Sequence, residues 1–222
     1  MRAELPVTVI VIAKEPVPGK VKTRLTPPFS PAEAARLAQA ALADTLHAVA
    51  SAPVARRVLA LDGAPGPWLP PGFEVVAQRG NGLDERLAAA FADAHGAERL
   101  PMVLIGMDTP QVTPELLADA AFPLISGEAD ACLGPAADGG YWLLGLQAPN
   151  WSLLHGVPMS RADTGSAQLR RLRDAGLRVA MLPELTDVDQ GEDAARLAAE
   201  VPQSRFAGVY RQLAQAATVS AV

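Results

Sequence analysis

The stretch VTVIVIAKEPVPGKVKTRL, residues 7–25, decides how the rest of the chain is interpreted. It begins with a nearly continuous apolar run, Val7–Ala13, which is typical of a strand buried on both faces of a parallel sheet. A loop that contains two prolines and Gly19 follows this strand. Four cations lie at or just after the end of the strand: Lys14, Lys20, Lys22 and Arg24.

Ligands of open α/β sheets bind at the carboxyl ends of the strands, and clustered cations at such a place favour phosphate. The alternative is a solvated basic loop, since Lys and Arg are mostly exposed in any protein. The chain as a whole carries a net charge of −5. A local basic cluster in an acidic chain favours a small phosphorylated ligand over a nucleic acid. The loop is not a P-loop, because Lys14 stands where that pattern requires glycine.

Buried-strand and helical patterns alternate along the chain, which predicts an α/β protein with three layers and a mostly parallel central sheet. Strands are expected at 7–13, 56–62, 73–78, 101–108, 129–136, 141–146 and 177–183. Ser30, with Pro31 and Glu33 after it, predicts a capped helix start, and Thr113 predicts another. The 222 residues fit one domain, 1–222.

Composition excludes several classes of protein. Cys132 is the single cysteine, so the chain has no intrachain disulfide and no cysteine-based zinc site. The three histidines share no metal-binding spacing, which argues against histidine-centred catalysis. No apolar run approaches the roughly 20 residues that span a bilayer. The N-terminus also lacks a signal-peptide pattern, so we expect a cytoplasmic protein that binds no membrane.

Aspartates follow two of the predicted strands. Asp108 ends the run MVLIGMD, where it could bind a metal or merely begin a turn before Pro110. Asp187 and Asp189 follow the last strand, and Asp189 also fits a helix N-cap with Glu192. If these carboxylates converge beside the cations, they form a site for Mg²⁺ or Mn²⁺ with a diphosphate, because these hard cations take oxygen ligands.

Two glycine-rich segments are candidate ligand contacts. In Asp138-Gly139-Gly140-Tyr141-Trp142 the glycines allow close approach to a ligand and the aromatic rings suit a sugar or base. A tight hairpin turn with aromatics filling the core explains the same residues equally well. In the segment 78–86, Gly80 and Asn81 could contact a nucleobase, whereas Asp84 could be a simple helix cap.

Five motifs in order resemble a bacterial family of glycosyltransferase-A-like proteins, DUF2064, also called radical-SAM/selenodomain-associated transferase 1. The motifs are AKEPVPGKVKTRL, RGNGLDERLAAAF, LIGMDTP, GPAADGGYWLLGL and LPELTDVDQGEDAARL. The resemblance covers roughly residues 5–200. It implies the Rossmann-like GT-A fold of the nucleotide-diphospho-sugar transferases, with a small antiparallel part in the sheet.

The resemblance also implies roles for residues at matching positions. Phosphates would be held by Lys14, Lys20, Lys22 and Arg24, with Gly19 in the same binding loop. Asp108 and Asp189 would bind the metal, with Asp187 beside them. Asp138 would act with Asp108 in catalysis, and the pocket for the sugar or acceptor would be lined by Asp138, Gly139, Gly140, Tyr141 and Trp142.

The resemblance favours a metal-dependent transferase with a nucleoside diphosphate-sugar donor and a small-molecule acceptor of unknown identity. Gly106-Met107-Asp108 lacks the first acid of a glycosyltransferase DxD motif. Nucleotidyl transfer with release of pyrophosphate, as in 2-phospholactate or molybdenum-cofactor guanylyltransferases, is therefore the alternative. A nucleotide-binding protein without activity is the third. Nothing in the sequence specifies the base, the sugar or the oligomeric state.

Overall fold

The computed structural model describes residues 4–96, 99–148 and 150–220, and the centre of the fold is a β-sheet. Its seven strands are β1 (Leu5–Lys14), β2 (Val54–Asp62), β3 (Glu74–Ala77), β4 (Met102–Ile105), β5 (Ala131–Pro135), β6 (Tyr141–Leu146) and β7 (Val179–Met181). Their order across the sheet is β3-β2-β1-β4-β6-β5-β7. Strand β6 runs antiparallel to β4 and β5, while all other neighbours are parallel. The predicted mostly parallel sheet with a small antiparallel part is confirmed.

Helices cover both faces of the sheet. They are α1 (Pro31–Ser51), α2 (Leu83–Ala94), α3 (Pro114–Ile125), α4 (Thr164–Asp174), α5 (Gly191–Glu200) and α6 (Arg205–Ser220). Helices α1 and α3 contribute to the apolar core on one face, and α2 and α4 to the core on the other. This arrangement confirms the predicted three layers. In the described part of the chain, no helix has the length and apolar character needed to cross a bilayer.

The centre of strand β1, Val9–Ala13, is apolar because its two faces enter different cores. Val7, Val9 and Val11 belong to the core beneath α1 and α3. Ile10 belongs to the opposite core, beneath α2 and α4. Helices cover the centre of this strand on both sides, so polar residues do not alternate with apolar ones there. This explains the nearly continuous apolar run in the sequence.

The predicted starts of α1 and α3 are confirmed in detail. The Ser30 amide donates to Oε2 of Glu33 at 2.8 Å, and the Glu33 amide donates to Oγ of Ser30 at 3.3 Å. In α3, Oγ1 of Thr113 accepts the Leu116 amide at 3.1 Å. Both caps satisfy N–H groups that have no partner within the helix.

A third apolar cluster lies outside the sheet, between α1, α5 and α6, and it anchors two loops. Leu25 enters it from the loop after β1, and Val188 enters it from the loop after β7, both at most 1% exposed. Phe206 of α6 is buried in the same cluster. The two loops therefore have fixed positions relative to each other at the carboxyl edge of the sheet.

Strand β4 ends at Ile105, three residues before the predicted end of that strand. Gly106, Met107 and Asp108 form the beginning of the loop that leads to α3. Asp108 is consequently free of sheet pairing and extends from the carboxyl edge.

Candidate functional site

A cavity of about 730 Å³ opens at the carboxyl ends of β1 and β4. Its charged lining residues are Lys14, Lys20, Lys22, Arg24, Asp108, Asp138, Arg161, Asp187 and Asp189. These residues come from five separate segments of the chain. The structure thus brings together in one cavity the cations and aspartates that the sequence suggested as a site.

The basic loop, residues 15–24, holds two of its cations in ion pairs. The ammonium group of Lys22 contacts Oδ2 of Asp108, and its side chain is only 14% exposed. Nη1 of Arg24 lies 2.7 Å from Oδ2 of Asp189. Lys22 has a left-handed backbone (φ 46°), a conformation that side chains rarely adopt outside turns and functional sites. Each ion pair joins the basic loop to one of the aspartate segments.

Lys14 and Lys20 differ from these two cations because they are exposed and form no ion pair with any described residue. Both line the cavity. Gly19, between them, is not among the lining residues. The cavity therefore contains two cations whose charge is available to an anionic ligand.

Hydrogen bonds hold the two aspartate segments side by side. The amide of Val188 donates to the carbonyl oxygen of Asp108 at 3.0 Å. Nε2 of Gln111 donates to the carbonyl oxygen of Thr186, also at 3.0 Å. With Val188 buried in the third cluster, Asp187 and Asp189 on either side of it line the cavity. In the Asp-Val-Asp pattern, the buried valine thus anchors the loop and the two aspartates border the cavity.

Asp187 is the most strongly perturbed carboxyl group of the site. Burial, with the nearby charge of Asp108 as the second cause, raises its pKa to about 8, although Lys22 acts in the opposite direction. Its Oδ1 is buried and has no hydrogen-bond partner among the described residues. Burial also lowers the pKa of Lys22, but the Asp108 charge and hydrogen bond outweigh it, so the net pKa is raised. Without a metal ion, the site therefore favours the neutral form of Asp187.

The donor set has the chemistry that a hard divalent cation requires. Asp108, Asp187 and Asp189 supply carboxylate oxygens, the ligands that Mg²⁺ and Mn²⁺ favour, and Oδ1 of Asp187 is an orphaned buried acceptor. Within residues 4–96, 99–148 and 150–220, however, no three acidic, His or Cys side chains are already arranged around a common metal position. In this structure Asp108 pairs with the Lys22 ammonium and Asp189 pairs with Arg24.

The interpretation of Asp189 as the N-cap of the helix after the last strand is wrong. Helix α5 begins at Gly191, and its N-cap is Gln190, whose amide donates to Oδ2 of Asp193 at 2.8 Å. The helix starts one residue later than the Asp189 and Glu192 pattern required. Asp189 is therefore left to pair with Arg24 at the cavity.

Asp138 and its two glycines form the tight turn between β5 and β6, so the hairpin alternative describes the backbone correctly. Oδ1 of Asp138 accepts the Gly140 amide at 2.8 Å. The carbonyl oxygen of Gly139 accepts the Gly165 amide at 2.8 Å, which ties the turn to the start of α4. The glycines permit this close contact between two backbone segments. Asp138 and Gly140 line the cavity, whereas Gly139 does not.

The two aromatic residues after the turn have different environments. Trp142 is 2% exposed, and its indole Nε1 donates to the carbonyl oxygen of Pro183 at 3.0 Å, so its ring chiefly fills the core. Tyr141 is half-buried, and burial raises the pKa of its hydroxyl group. Both residues border the cavity. Tyr141 is the better placed of the two to contact a ligand.

Replacing Gly139 with alanine should destabilise the protein strongly, because a Cβ there would overlap the carbonyl oxygen of Ala162. Gly127 is the matched control: its φ of 74° resembles the 88° of Gly139, yet its Cβ would meet no atom within 4 Å. Gly127→Ala is expected to cost about 1 kcal/mol through backbone strain alone. Gly139→Ala should cost at least about 2 kcal/mol more in urea denaturation. Equal losses would show that the turn is not packed as described.

Gly80 and Asn81 do not reach the cavity. The Asn81 amide donates to Oε2 of Glu85 at 2.8 Å, and the Gly80 carbonyl accepts Nε of Arg86 at 3.2 Å. The loop is thus folded against the start of α2 instead of extending over the ligand position. From this segment Gln78 and Leu83 line the cavity instead, and no sequence pattern marked either residue as part of a site.

A second contribution to the site comes from the segment 159–164, whose members gave no decisive sequence signal. The residues of this segment that line the cavity are Met159, Ser160, Arg161, Ala162 and Thr164. Oγ1 of Thr164 donates to the Pro158 carbonyl at 2.9 Å and accepts the Arg161 amide at 3.1 Å. Ser160 has a left-handed backbone (φ 57°). Thr164 therefore fixes the shape of this wall.

Comparison with known proteins agrees with the fold. Residues 36–161 match the family described as "Uncharacterized protein conserved in bacteria (DUF2064)", which is more than half of the chain. The chain belongs to the DUF2064 family. The family suggested by the five sequence motifs is confirmed.

One solved structure resembles this chain over nearly its whole length. It is a candidate nucleotide-diphospho-sugar transferase from Desulfovibrio desulfuricans G20. The two chains are 28% identical, the match covers 93% of this chain and 94% of the other, and the TM-score is 0.84. No curated protein matches the chain in sequence.

More distant structures share the fold alone. Rv0371c from Mycobacterium tuberculosis H37Rv, in complex with manganese, is 20% identical, with 88% of this chain and 98% of that chain covered and a TM-score of 0.52. The 2-C-methyl-D-erythritol 4-phosphate cytidylyltransferase from Thermus thermophilus is 15% identical, with 86% and 95% covered and a TM-score of 0.51. Transferases and nucleotidyltransferases are thus the enzymes whose architecture this chain shares.

Proposed function

We propose that the protein is a metal-dependent, glycosyltransferase-like transferase that uses a nucleoside diphosphate-sugar donor. The observation that carries this proposal is the cavity itself, in which a cationic loop faces three carboxylates at the carboxyl ends of β1, β4 and β7. A diphosphate and a divalent cation need this combination of charges. The 28% identity to a candidate nucleotide-diphospho-sugar transferase supports the same donor class.

The basic loop would bind the diphosphate. Lys20 carries no competing ion pair with a described residue and can approach phosphate oxygens directly. Lys22 and Arg24 would exchange their aspartate partners for phosphate oxygens, as the carboxylates turn to the metal. Positive charge fixed around the leaving diphosphate stabilises the charge that develops there during transfer.

Asp108, Asp187 and Asp189 are the residues proposed to hold Mg²⁺ or Mn²⁺. When bound, such a cation would neutralise charge on the donor phosphates. A relative of the same fold, Rv0371c, is known in complex with manganese. Deprotonation of Asp187 is part of this arrangement, because a carboxylate binds the metal only in its ionised form.

Asp138 is proposed as the acceptor base. It borders the cavity, and its Oδ1 is occupied by the Gly140 amide, so the carboxyl group has a fixed orientation. In glycosyl transfer the acceptor oxygen bonds to the anomeric carbon while the bond from that carbon to the diphosphate oxygen breaks. The acceptor proton passes to Asp138, and the nucleoside diphosphate leaves.

Nucleotidyl transfer is the second candidate, favoured by Arg161. This arginine lines the cavity and pairs with Asp163 at 2.9 Å, and it could exchange that partner for an anionic acceptor. The acceptor would then attack the α-phosphorus of a nucleoside triphosphate and expel pyrophosphate. Gly106 also stands where a DxD motif has its first acid. Nucleotidyl transfer tolerates this difference better, because one aspartate at this position often suffices for that reaction.

The two reactions are separated by their products. The purified protein with Mn²⁺ is incubated with UDP- and GDP-sugars in one series and with the four nucleoside triphosphates in another. Release of nucleoside diphosphate from a sugar donor, with water as a slow acceptor, supports glycosyl transfer. Release of pyrophosphate supports nucleotidyl transfer. Metal-dependent binding without either product would indicate a nucleotide-binding protein without activity.

Removing two cations from the basic loop should weaken binding of phosphates selectively. Lys20→Ala combined with Arg24→Ala is expected to weaken nucleoside diphosphate binding at least about tenfold, because two charge-assisted contacts are lost. Binding of the corresponding nucleoside should change little. The control combines Arg170→Ala with Arg173→Ala, two exposed cations of α4 that lie outside this cavity. Equal losses for nucleoside and diphosphate would contradict the assignment of the loop.

A further inference from the structure

Gln78 lies directly after β3, and its side-chain amide is held by two backbone carbonyl groups. Its main-chain amide donates to the carbonyl oxygen of Leu61 at 3.0 Å, which continues the pairing of β2 and β3. Its Nε2 donates to the carbonyl oxygens of Ala13 at 2.7 Å and Ala60 at 3.0 Å. Both protons of the amide nitrogen are therefore used at the ends of β1 and β2.

These two bonds also fix which end of the amide meets the cavity. If Oε1 occupied the position of Nε2, it would face two carbonyl oxygens and could bond to neither. Gln78 lines the cavity, and its Oε1 accepts no hydrogen bond from the described residues. With both N–H groups of the side-chain amide directed at the strand ends, Oε1 is the polar atom of Gln78 that remains for a ligand in the cavity. Gln78 thus offers the cavity one acceptor of fixed orientation.

Lys14 provides a hydrogen-bond donor at the end of β1. Lys14 directly follows Ala13, whose carbonyl oxygen holds Gln78. The Lys14 side chain is exposed, lines the same cavity and forms no ion pair with a described residue. An ammonium group can only donate hydrogen bonds. The ends of β1 and β3 therefore present one donor and one acceptor to the same ligand.

We propose that Gln78 and Lys14 select a nucleobase with a lactam edge, in which an N–H group lies beside a carbonyl oxygen. Uracil and guanine have this edge, with the N–H directed to Oε1 of Gln78 and the carbonyl to Lys14. Cytosine and adenine have an unprotonated ring nitrogen at the corresponding position, which would face Oε1 without a proton. The inference rests on the proposed function, since it takes the nucleotide donor as given and adds the class of its base.

The first test compares bases and N-methylated bases on the wild-type protein. Binding of UDP, GDP, CDP and ADP is measured by calorimetry with Mn²⁺, followed by N3-methyl-UDP and N1-methyl-GDP. UDP or GDP should bind at least about tenfold more tightly than CDP and ADP, because an acceptor that the bound base covers without offering it a donor is costly. Methylation of the ring nitrogen should weaken that ligand by at least about tenfold.

The second test assigns the preference to Gln78. Gln78→Met removes the acceptor with little change in volume, so the methylated and unmethylated ligands should bind the variant equally. Gln168→Met is the matched control, since Gln168 is buried in α4 and donates to the Leu153 carbonyl at 3.2 Å outside this cavity. That variant should keep the wild-type preference. If Gln78→Met does not fold, the methylation experiment on the wild type decides alone.

The outcomes separate this inference from the proposed function. Equal binding of methylated and unmethylated bases by the wild type would overturn the inference, and Gln78 would then only cover the end of the sheet. Tighter binding of CDP or ADP would overturn it as well. Failure of every nucleotide to bind in the presence of Mn²⁺ would overturn the proposed function itself.

Discussion

Replacing Asp108 with asparagine is expected to reduce metal-dependent transfer by about a thousandfold. The variant keeps the shape of the side chain but removes the charge that pairs with Lys22 and that we assign to the metal. Loss of one preorganised charge contact in a transferase site typically costs two to three orders of magnitude in rate. The measurement is the initial rate of donor turnover at several Mn²⁺ concentrations, with folding checked by circular dichroism.

Asp93→Asn provides the control for Asp108→Asn. Asp93 also forms an ion pair, with Arg79, but it does not line the cavity. Its replacement should leave the rate within about twofold, because exposed ion pairs contribute little. An Asp108→Asn variant with wild-type activity and wild-type Mn²⁺ dependence would remove Asp108 from the site.

Replacing Asp187 with asparagine is expected to stabilise the metal-free protein. The folded-state pKa of this carboxyl is raised to about 8 by burial and by the charge of Asp108, while an unfolded aspartate has its pKa near 3.8. Between these values the folded protein must hold a proton that the unfolded chain releases, so this group lowers stability as the pH rises. Asparagine does not titrate, and the variant should melt at least about 3 °C higher near pH 8.

The pH profile distinguishes this electrostatic effect from simple repacking. The difference in melting temperature between Asp187→Asn and wild type should grow from pH 5 to pH 8 and become constant above it. The same variant should no longer be stabilised by Mn²⁺. The substitution would then raise the stability of the metal-free protein and remove metal binding. A difference that does not depend on pH would mean that Asp187 is ionised in the folded protein throughout this range.

Much of the fold was predictable because local signals agree with the tertiary structure. The apolar run of β1 predicted burial on both faces, and the caps at Ser30 and Thr113 marked two helix starts. The convergence of Asp108 with the basic loop followed from a general rule, since both lie after parallel strands. The rule does not predict which cation pairs with which carboxylate. Only the structure shows the ion pairs of Lys22 with Asp108 and of Arg24 with Asp189.

The remaining parts of the site depend on packing that sequence patterns do not encode. The segment 159–164 reaches the cavity because the turn at Gly139 packs against Ala162 and Gly165, far away in the chain. Gly80 and Asn81 turn away because their polar groups bond to the start of α2. Gln78 was overlooked for the converse reason, as a single glutamine after a strand has no distinctive pattern.

Thermal unfolding with nucleotides and Mn²⁺ tests the central claim most directly, because a ligand that binds the folded state must raise the melting temperature. The protein is melted with nucleoside diphosphates, nucleoside triphosphates and nucleotide sugars, each with and without the metal. A shift of several degrees that requires both the metal and one class of nucleotide is the predicted result. If a well-folded sample shows no shift with any of these ligands, the cavity is not a metal-dependent nucleotide site.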